Sequence, residues 1–186
     1  MSLIVLAGMV RLINADSPSP ISNFTPIGAM ALFAGAYFTE RWKSLLFPLL
    51  ALFLSDLVVQ NVIYQGKYGS VLYDGWYWVY GTFALIVLMG DWFIRKVSIK
   101  NVLLASIAAS LAHWFITDLG VWLAGGLDIT TGLPYTRDFG GFLNCLYLAL
   151  PFLKNFFLGT VAYGAVMFGA FEWAQRKLPS LAAEAV

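Results

Sequence analysis

The sequence predicts an all-α, polytopic membrane bundle of about six transmembrane helices, and three observations carry that expectation. The first is polarity. Hydrophobic residues make up 60% of the 186-residue chain and charged residues 11%, where a soluble domain carries about 25% charged, so there are too few charges to coat a water-facing surface. The second is segmentation: six apolar stretches, roughly 2–14, 24–38, 43–63, 76–94, 101–124 and 149–174, separated by polar connections. The third is an uneven distribution of Lys and Arg between alternate connections. The length suits one bundle and no separate soluble domain, so 1–186 reads as a single transmembrane domain. A net charge of +1 gives no sign of nucleic-acid binding, and one cysteine excludes an internal disulfide framework or a multi-cysteine zinc site.

The first segment opens MSLIVLAGMVRLINADS. It lacks a basic region ahead of its apolar run, and Ile13 is too large for the usual cleavage pattern, so it reads as a retained helix. A full span needs about 20 residues. The first two segments fall short, which leaves six spans or five plus a partial one. The first either starts inside the membrane or uses Asn14 and Ala15 to finish.

The second segment, NFTPIGAMALFAGAYFTE from Asn23 to Glu40, is the stretch around which the chain is organised. Pro26 suits the first turn of a helix and Thr25 its N-cap. Ala31 and Gly35 stand four apart on one face, where small residues let another helix approach closely. That helix belongs either to a partner, making this a docking face, or to the protein itself.

The last four segments are long enough to span. If direction alternates, one side receives Arg41, Lys43, Arg95, Lys96, Lys100, Arg176 and Lys177, and the other Arg11, Lys67, Arg137 and Lys154. By the positive-inside rule both termini face the cytoplasm. The turns on that side, TERWK and RKVSIK, do no more than connect helices. The opposite connections, NADSPSPISN, YQGKYGSVLYDG and Gly125 to Leu148, are longer, and long ordered loops tend to be functional. They carry Pro18, Pro20, Tyr64, Tyr68, Tyr73, Asp74, Asp128, Pro134, Tyr135, Arg137 and Asp138, and they can cover a pocket opening outward. Trp76, Tyr77, Trp78 and Tyr80 follow at a helix start, as an interfacial aromatic belt or as ligand-stacking rings.

Ionisable and polar groups within apolar segments are costly in hydrocarbon and usually face an interior or a cavity. Asp56 lies about two thirds of the way outward along the third segment, with Gln60 one turn later on its face. His113 is near the middle of the fifth segment, Asp118 in its outer part, and Trp114, Asp118 and Trp122 share a face. Asn144 and Lys154 precede and open the sixth. Together with Asn23, Trp76, Trp78 and Arg137, these residues form the candidate ligand-binding set. The structural alternative is an internal network, for example Asp56 with Lys154 or His113.

Several chemistries have no support. A lone His cannot supply paired axial ligands to haem, and HExxH, GxSxG, Walker and dinucleotide patterns are missing. Neither Ser110 nor Cys145 has an evident catalytic partner, and Lys154 near a helix end can snorkel to the interface. The reading is of a non-enzyme that needs no resident cofactor or metal. His113 as an axial ligand to a pigment stays open.

The segments NFTPIGAMALFAGAYF, LLALFLSDLV, FITDLGVWLAGGL and ALPFLKNFFLG resemble a family of uncharacterised small bacterial membrane proteins, DUF6580-like, related to the substrate-binding S components of energy-coupling-factor (ECF) transporters. The similarity runs from about Asn23 to Gly169. It implies a six-helix bundle in the bacterial inner membrane that binds a vitamin or metal-related micronutrient beneath outer loops. It further implies docking, through small-residue faces, onto a membrane coupling protein driven by two ATPases. The small-residue docking motif maps onto Ala31 and Gly35, the second being Gly where the family pattern has Ala. A corrinoid is the first cargo the resemblance suggests. The alternative reading is a non-catalytic accessory subunit of a respiratory or photosynthetic membrane complex, contacting lipid or pigment. For it the small faces of Ala105, Ala108, Ala109 and Ala112, and of Ala165 and Gly169, would serve.

Overall fold

The computed structural model describes residues 21–63 and 72–178. The expectations for segment 2–14, with Arg11, Asn14 and Ala15, and for Pro18, Pro20, Tyr64, Lys67 and Tyr68 lie outside the described residues. Within them the chain is all-helical, with six α-helices: α1 Ile27–Tyr37, α2 Arg41–Val58, α3 Trp76–Phe93, α4 Ile99–Ala124, α5 Phe139–Leu148 and α6 Leu150–Lys177. A π-helical turn, Val59–Ile63, extends α2.

Three helical stretches are long and apolar enough to cross a membrane: Arg41–Asn61, Ile99–Ala124 and Leu150–Lys177. The 26 residues of α4 reach about 39 Å at 1.5 Å per residue, past a hydrocarbon core of about 30 Å. Leu46, Leu50, Leu54 and Val58 form an exposed i, i+4 stripe on α2, and Leu104, Ile107, Leu111 and Phe115 an exposed row on α4. Apolar stripes of this length suit acyl chains and would be a liability in water.

The short α1 is the centre of the bundle. Ile27, Ala29, Ala31, Leu32 and Ala34 are almost wholly buried, because α2, α3, α4 and α6 all pack against it. Its contact with α3 is backbone on backbone. A Cβ at position 35 would overlap the Val87 carbonyl oxygen, and one at position 90 would overlap the Leu32 carbonyl oxygen. Gly35 and Gly90 thus let the two helices touch along their main chains, the small-residue packing that stabilises helix pairs in lipid. The Ala31–Gly35 face is therefore an internal seam. No external helix can reach it while the bundle is folded, which removes it as a docking surface.

Two aromatic zones tie α1 to α6: Phe33 stacks edge-on to Phe168 and Phe171, and Tyr37 to Phe171. The Tyr37 hydroxyl donates to Glu172 Oε1 at 2.7 Å. On α2, Pro48 is buried inside the helix, a position that forfeits one backbone hydrogen bond and is tolerated where neighbouring helices cover it.

The connection from Gly125 onward departs from the loop expected of it. Gly125 ends α4 at φ 78°, a left-handed conformation suited to glycine. The chain returns through a bridge between Leu127 and Pro134 and then forms α5. Asp138 caps α5 by accepting from the Gly141 amide at 2.7 Å. A break at Ala149, with Pro151 in the next first turn, hands over to α6.

Candidate functional site

A cavity of about 240 Å³ lies where five of the six helices or their leads converge. Asn23, Thr25 and Ile27 enter it from the start of α1, Leu52 from α2, and Tyr73, Val79 and Phe83 from α3 and its lead. His113 and Thr117 contribute from α4 and Phe156 from α6. Its lining among the described residues is half polar and carries no carboxylate, lysine or arginine. Asn23 has φ 68°, a left-handed conformation that Asn tolerates better than most residues. Local geometry thus turns the chain at the cavity's edge before α1 begins.

His113 is the best-positioned polar group. Its ring stacks on Phe156 with centroids 4.2 Å apart and planes 13° apart, and Phe83 meets it edge-on at 5.4 Å. Thr117, one turn on, shares the cavity but turns its hydroxyl to the His113 carbonyl at 2.7 Å. Two aromatic rings therefore hold the imidazole in one orientation, as a binding group requires.

Of the residues expected to bind ligand, Asn23 and His113 meet at this cavity. The structure places the others elsewhere. Asp56 is buried and accepts from the Tyr80 hydroxyl at 2.9 Å, an interhelical bond between α2 and α3. Gln60 is buried in the π-helical turn, its Oε1 without a hydrogen-bond partner among the described residues. Trp76 is exposed and meets Tyr77 and Tyr80 edge-on, as a belt residue does. Trp78 fills the space over Gly120, where a Cβ would press on its indole. Lys154 is exposed at the start of α6.

Asp118, Arg137 and Asn144 belong to a second assembly, the cap over α4 and α5. Arg137 donates to the Trp122 and Leu123 carbonyls at 3.1 and 2.8 Å, satisfying the last turn of α4. Asn144 donates to Asp128 Oδ2 at 2.7 Å. Asp128 Oδ1 accepts from the Thr130 and Thr131 amides and the Thr130 hydroxyl. These bonds, the Thr130 hydroxyl foremost, hold the Asp128 carboxyl below its usual range. Trp114 and Trp122, the face shared with Asp118, donate to the Leu146 and Thr136 carbonyls, while Cys145 donates to the Asp118 carbonyl at 3.6 Å. Burial pushes the Tyr135 phenol beneath this cap up to about 12, so it stays a protonated donor. The i, i+4, i+8 spacing that grouped Trp114, Asp118 and Trp122 was thus a grip for the cap.

Asp56 supplies the first expected result. Asp56→Ala removes the carboxylate that accepts the Tyr80 hydroxyl bond between α2 and α3, and the melting midpoint should fall by the equivalent of about 1–3 kcal/mol, as should Tyr80→Phe in part. An unchanged melting curve for both would remove this bond from the scaffold.

Residues 1–181 match the profile of a family described as of unknown function, DUF6580. The chain belongs to that family. No protein of curated function and no solved structure matches it. Within this DUF6580 member, sequence reasoning had no hold on Thr25, Phe83 and Phe156 as cavity residues. Two others left a trace: Tyr73, in a loop expected to cover an outward pocket, and Thr117, one turn from His113 on the same face.

Proposed function

We propose that this DUF6580 protein captures a small molecule in the cavity around His113, in the manner of an S component of an ECF transporter. The observation that supports this reading is a half-polar cavity at the convergence of α1, α2, α3, α4 and α6. Polar groups in a membrane interior carry a desolvation cost, and a site for a ligand is a reason to keep them there. At about 240 Å³ the cavity is smaller than the roughly 300–1,000 Å³ of drug-sized sites. The volume favours a compact, uncharged, hydrogen-bonding ligand over the corrinoid that the family resemblance first suggested.

The proposal extends to topology. Arg41, Lys43, Arg95, Lys96, Lys100, Arg176 and Lys177 all fall at the end of the bundle where α1, α3 and α6 finish. The positive-inside rule puts that end in the cytoplasm, with segment 2–14 as a sixth span, both termini inside, and the cavity near the outer face of a bacterial inner membrane. The protein is then a non-catalytic binding subunit, and uptake requires an energised coupling partner of the ECF kind. Such a partner would dock on a surface other than Ala31 and Gly35.

Native mass spectrometry of protein purified gently from its own membranes tests the reading. A small molecule should be released on denaturation, and His113→Ala should lower its retention at least about tenfold, as loss of a buried polar contact does, with little change in melting midpoint. Protein with no bound small molecule, held instead in a stoichiometric larger assembly, would favour an accessory subunit.

A further inference from the structure

We propose that the groove between the start of α4 and the end of α6 is a specific site for an anionic phospholipid. The groove encloses about 490 Å³ and is mainly apolar. Val102 and Leu103 form one wall and Val161 and Phe168 the other, with Gly164 and Gly169 leaving the space between them. A Cβ at Gly169 would meet no atom within 4 Å, and one at Gly164 only Val102 at 3.9 Å. Among the described residues, these glycines leave the slot open where a larger side chain would fill it.

The mouth of the groove carries the charge. Ser98 and Ile99, at the positive end of the α4 dipole, stand there with Arg176. Glu172 also lines the groove, but its carboxylate is held by the Tyr37 hydroxyl. Among the described residues, the other acidic groups at this end are engaged too: Asp91 pairs with Arg41 at 3.6 Å, and Glu40 pairs with Lys43. Among the described residues, Arg95, Lys96, Lys100, Arg176 and Lys177 make no ion pair. An apolar slot with Arg176 unpaired at its mouth, at the basic end of the bundle, matches a phospholipid, with an acyl chain along Val102 and Phe168 and the phosphate at Arg176. Basic pockets between helices on the cytoplasmic side are suited to anionic headgroups for this electrostatic reason. An apolar helix would fit the slot but would bring no anion to Arg176.

The test uses the full chain, delipidated in detergent and titrated in native mass spectrometry. The probes are palmitoyl-oleoyl phosphatidylglycerol and the phosphatidylcholine with the same chains. Wild-type protein should retain one phosphatidylglycerol, preferred over phosphatidylcholine by roughly fivefold or more. Arg176→Gln should erase the headgroup preference while both lipids still bind. Gly169→Leu should fill the slot and displace both, and Ala165→Leu, at another residue lining the groove, repeats that arm should the first variant fold poorly. Equal retention of the two lipids by wild type would overturn the proposal. So would undiminished phosphatidylglycerol binding in both leucine variants, or a protein dimer that Gly169→Leu dissociates, which would assign the groove to a helix.

Discussion

Gly35→Leu should leave no folded protein to purify. Small-to-large changes in a core usually cost about 1–3 kcal/mol, because neighbouring side chains move. Here the obstacle is main chain: even the first added carbon would overlap the Val87 carbonyl oxygen. Relief requires α1 and α3 to separate, and α1 is the element on which α2, α3, α4 and α6 all pack. The loss should exceed about 4 kcal/mol, the range of exceptional mutations. Gly90→Leu should match it from the opposite helix, since its Cβ would overlap the Leu32 carbonyl oxygen. Gly169→Leu is the control, because that position opens on space. Size-exclusion profiles and melting in detergent give the answer, and a Gly35→Leu protein that elutes and melts like wild type would refute the seam.

Acidification should release the cap over α4 and α5 while the bundle stays folded. Asp128 and Asp138 both have pKa values lowered in the folded protein, Asp128 chiefly by Thr130 and Asp138 chiefly by the Gly141 amide. Each therefore binds protons more weakly folded than unfolded, where an aspartate titrates near about 3.9. Their contribution is complete above that value and is lost as pH falls through the depressed folded value. At neutral pH the cap is at full strength. Protection of the Thr130, Thr131 and Gly141 amides against hydrogen exchange, taken relative to the intrinsic rate at each pH, should begin to fall below about pH 3.9 and be lost through the depressed folded value, while amides in α1 stay protected. Asp128→Ala should reproduce the effect at neutral pH at the first two amides, by at least about tenfold, because a charged acceptor of several donors is gone. Asp128→Asn keeps an acceptor and should lie between. Protection at Thr130 and Thr131 that responds to neither pH nor Asp128→Ala would show that the turn holds without its carboxylate.

The membrane class and the helical content were legible because they rest on composition and local periodicity. The helix positions followed where the signal was long: α4 was expected at 101–124 and runs Ile99–Ala124. Helix α5 was missed because Phe139–Leu148 is short, begins after a glycine- and threonine-rich turn, and is stabilised by what α4 presents to it. The polar residues were found, but their assignments divided. His113 and Asn23 meet at the cavity, whereas Asp56, Trp78, Arg137 and Asn144 hold helices and the cap together.

The sequence by itself determined that this protein is a helical membrane protein, that a few polar groups interrupt its apolar segments, and that Ala31 and Gly35 lie on a contact face. Each follows from residue type and spacing along one helix. Only the tertiary structure decided what the face touches, which polar side chains share a cavity, and that Arg176 stands at the mouth of an apolar groove. Those are relations between helices distant in sequence. A helix face looks the same in sequence whether it meets its own neighbour, a lipid or another protein, and only the packing of the other helices distinguishes them.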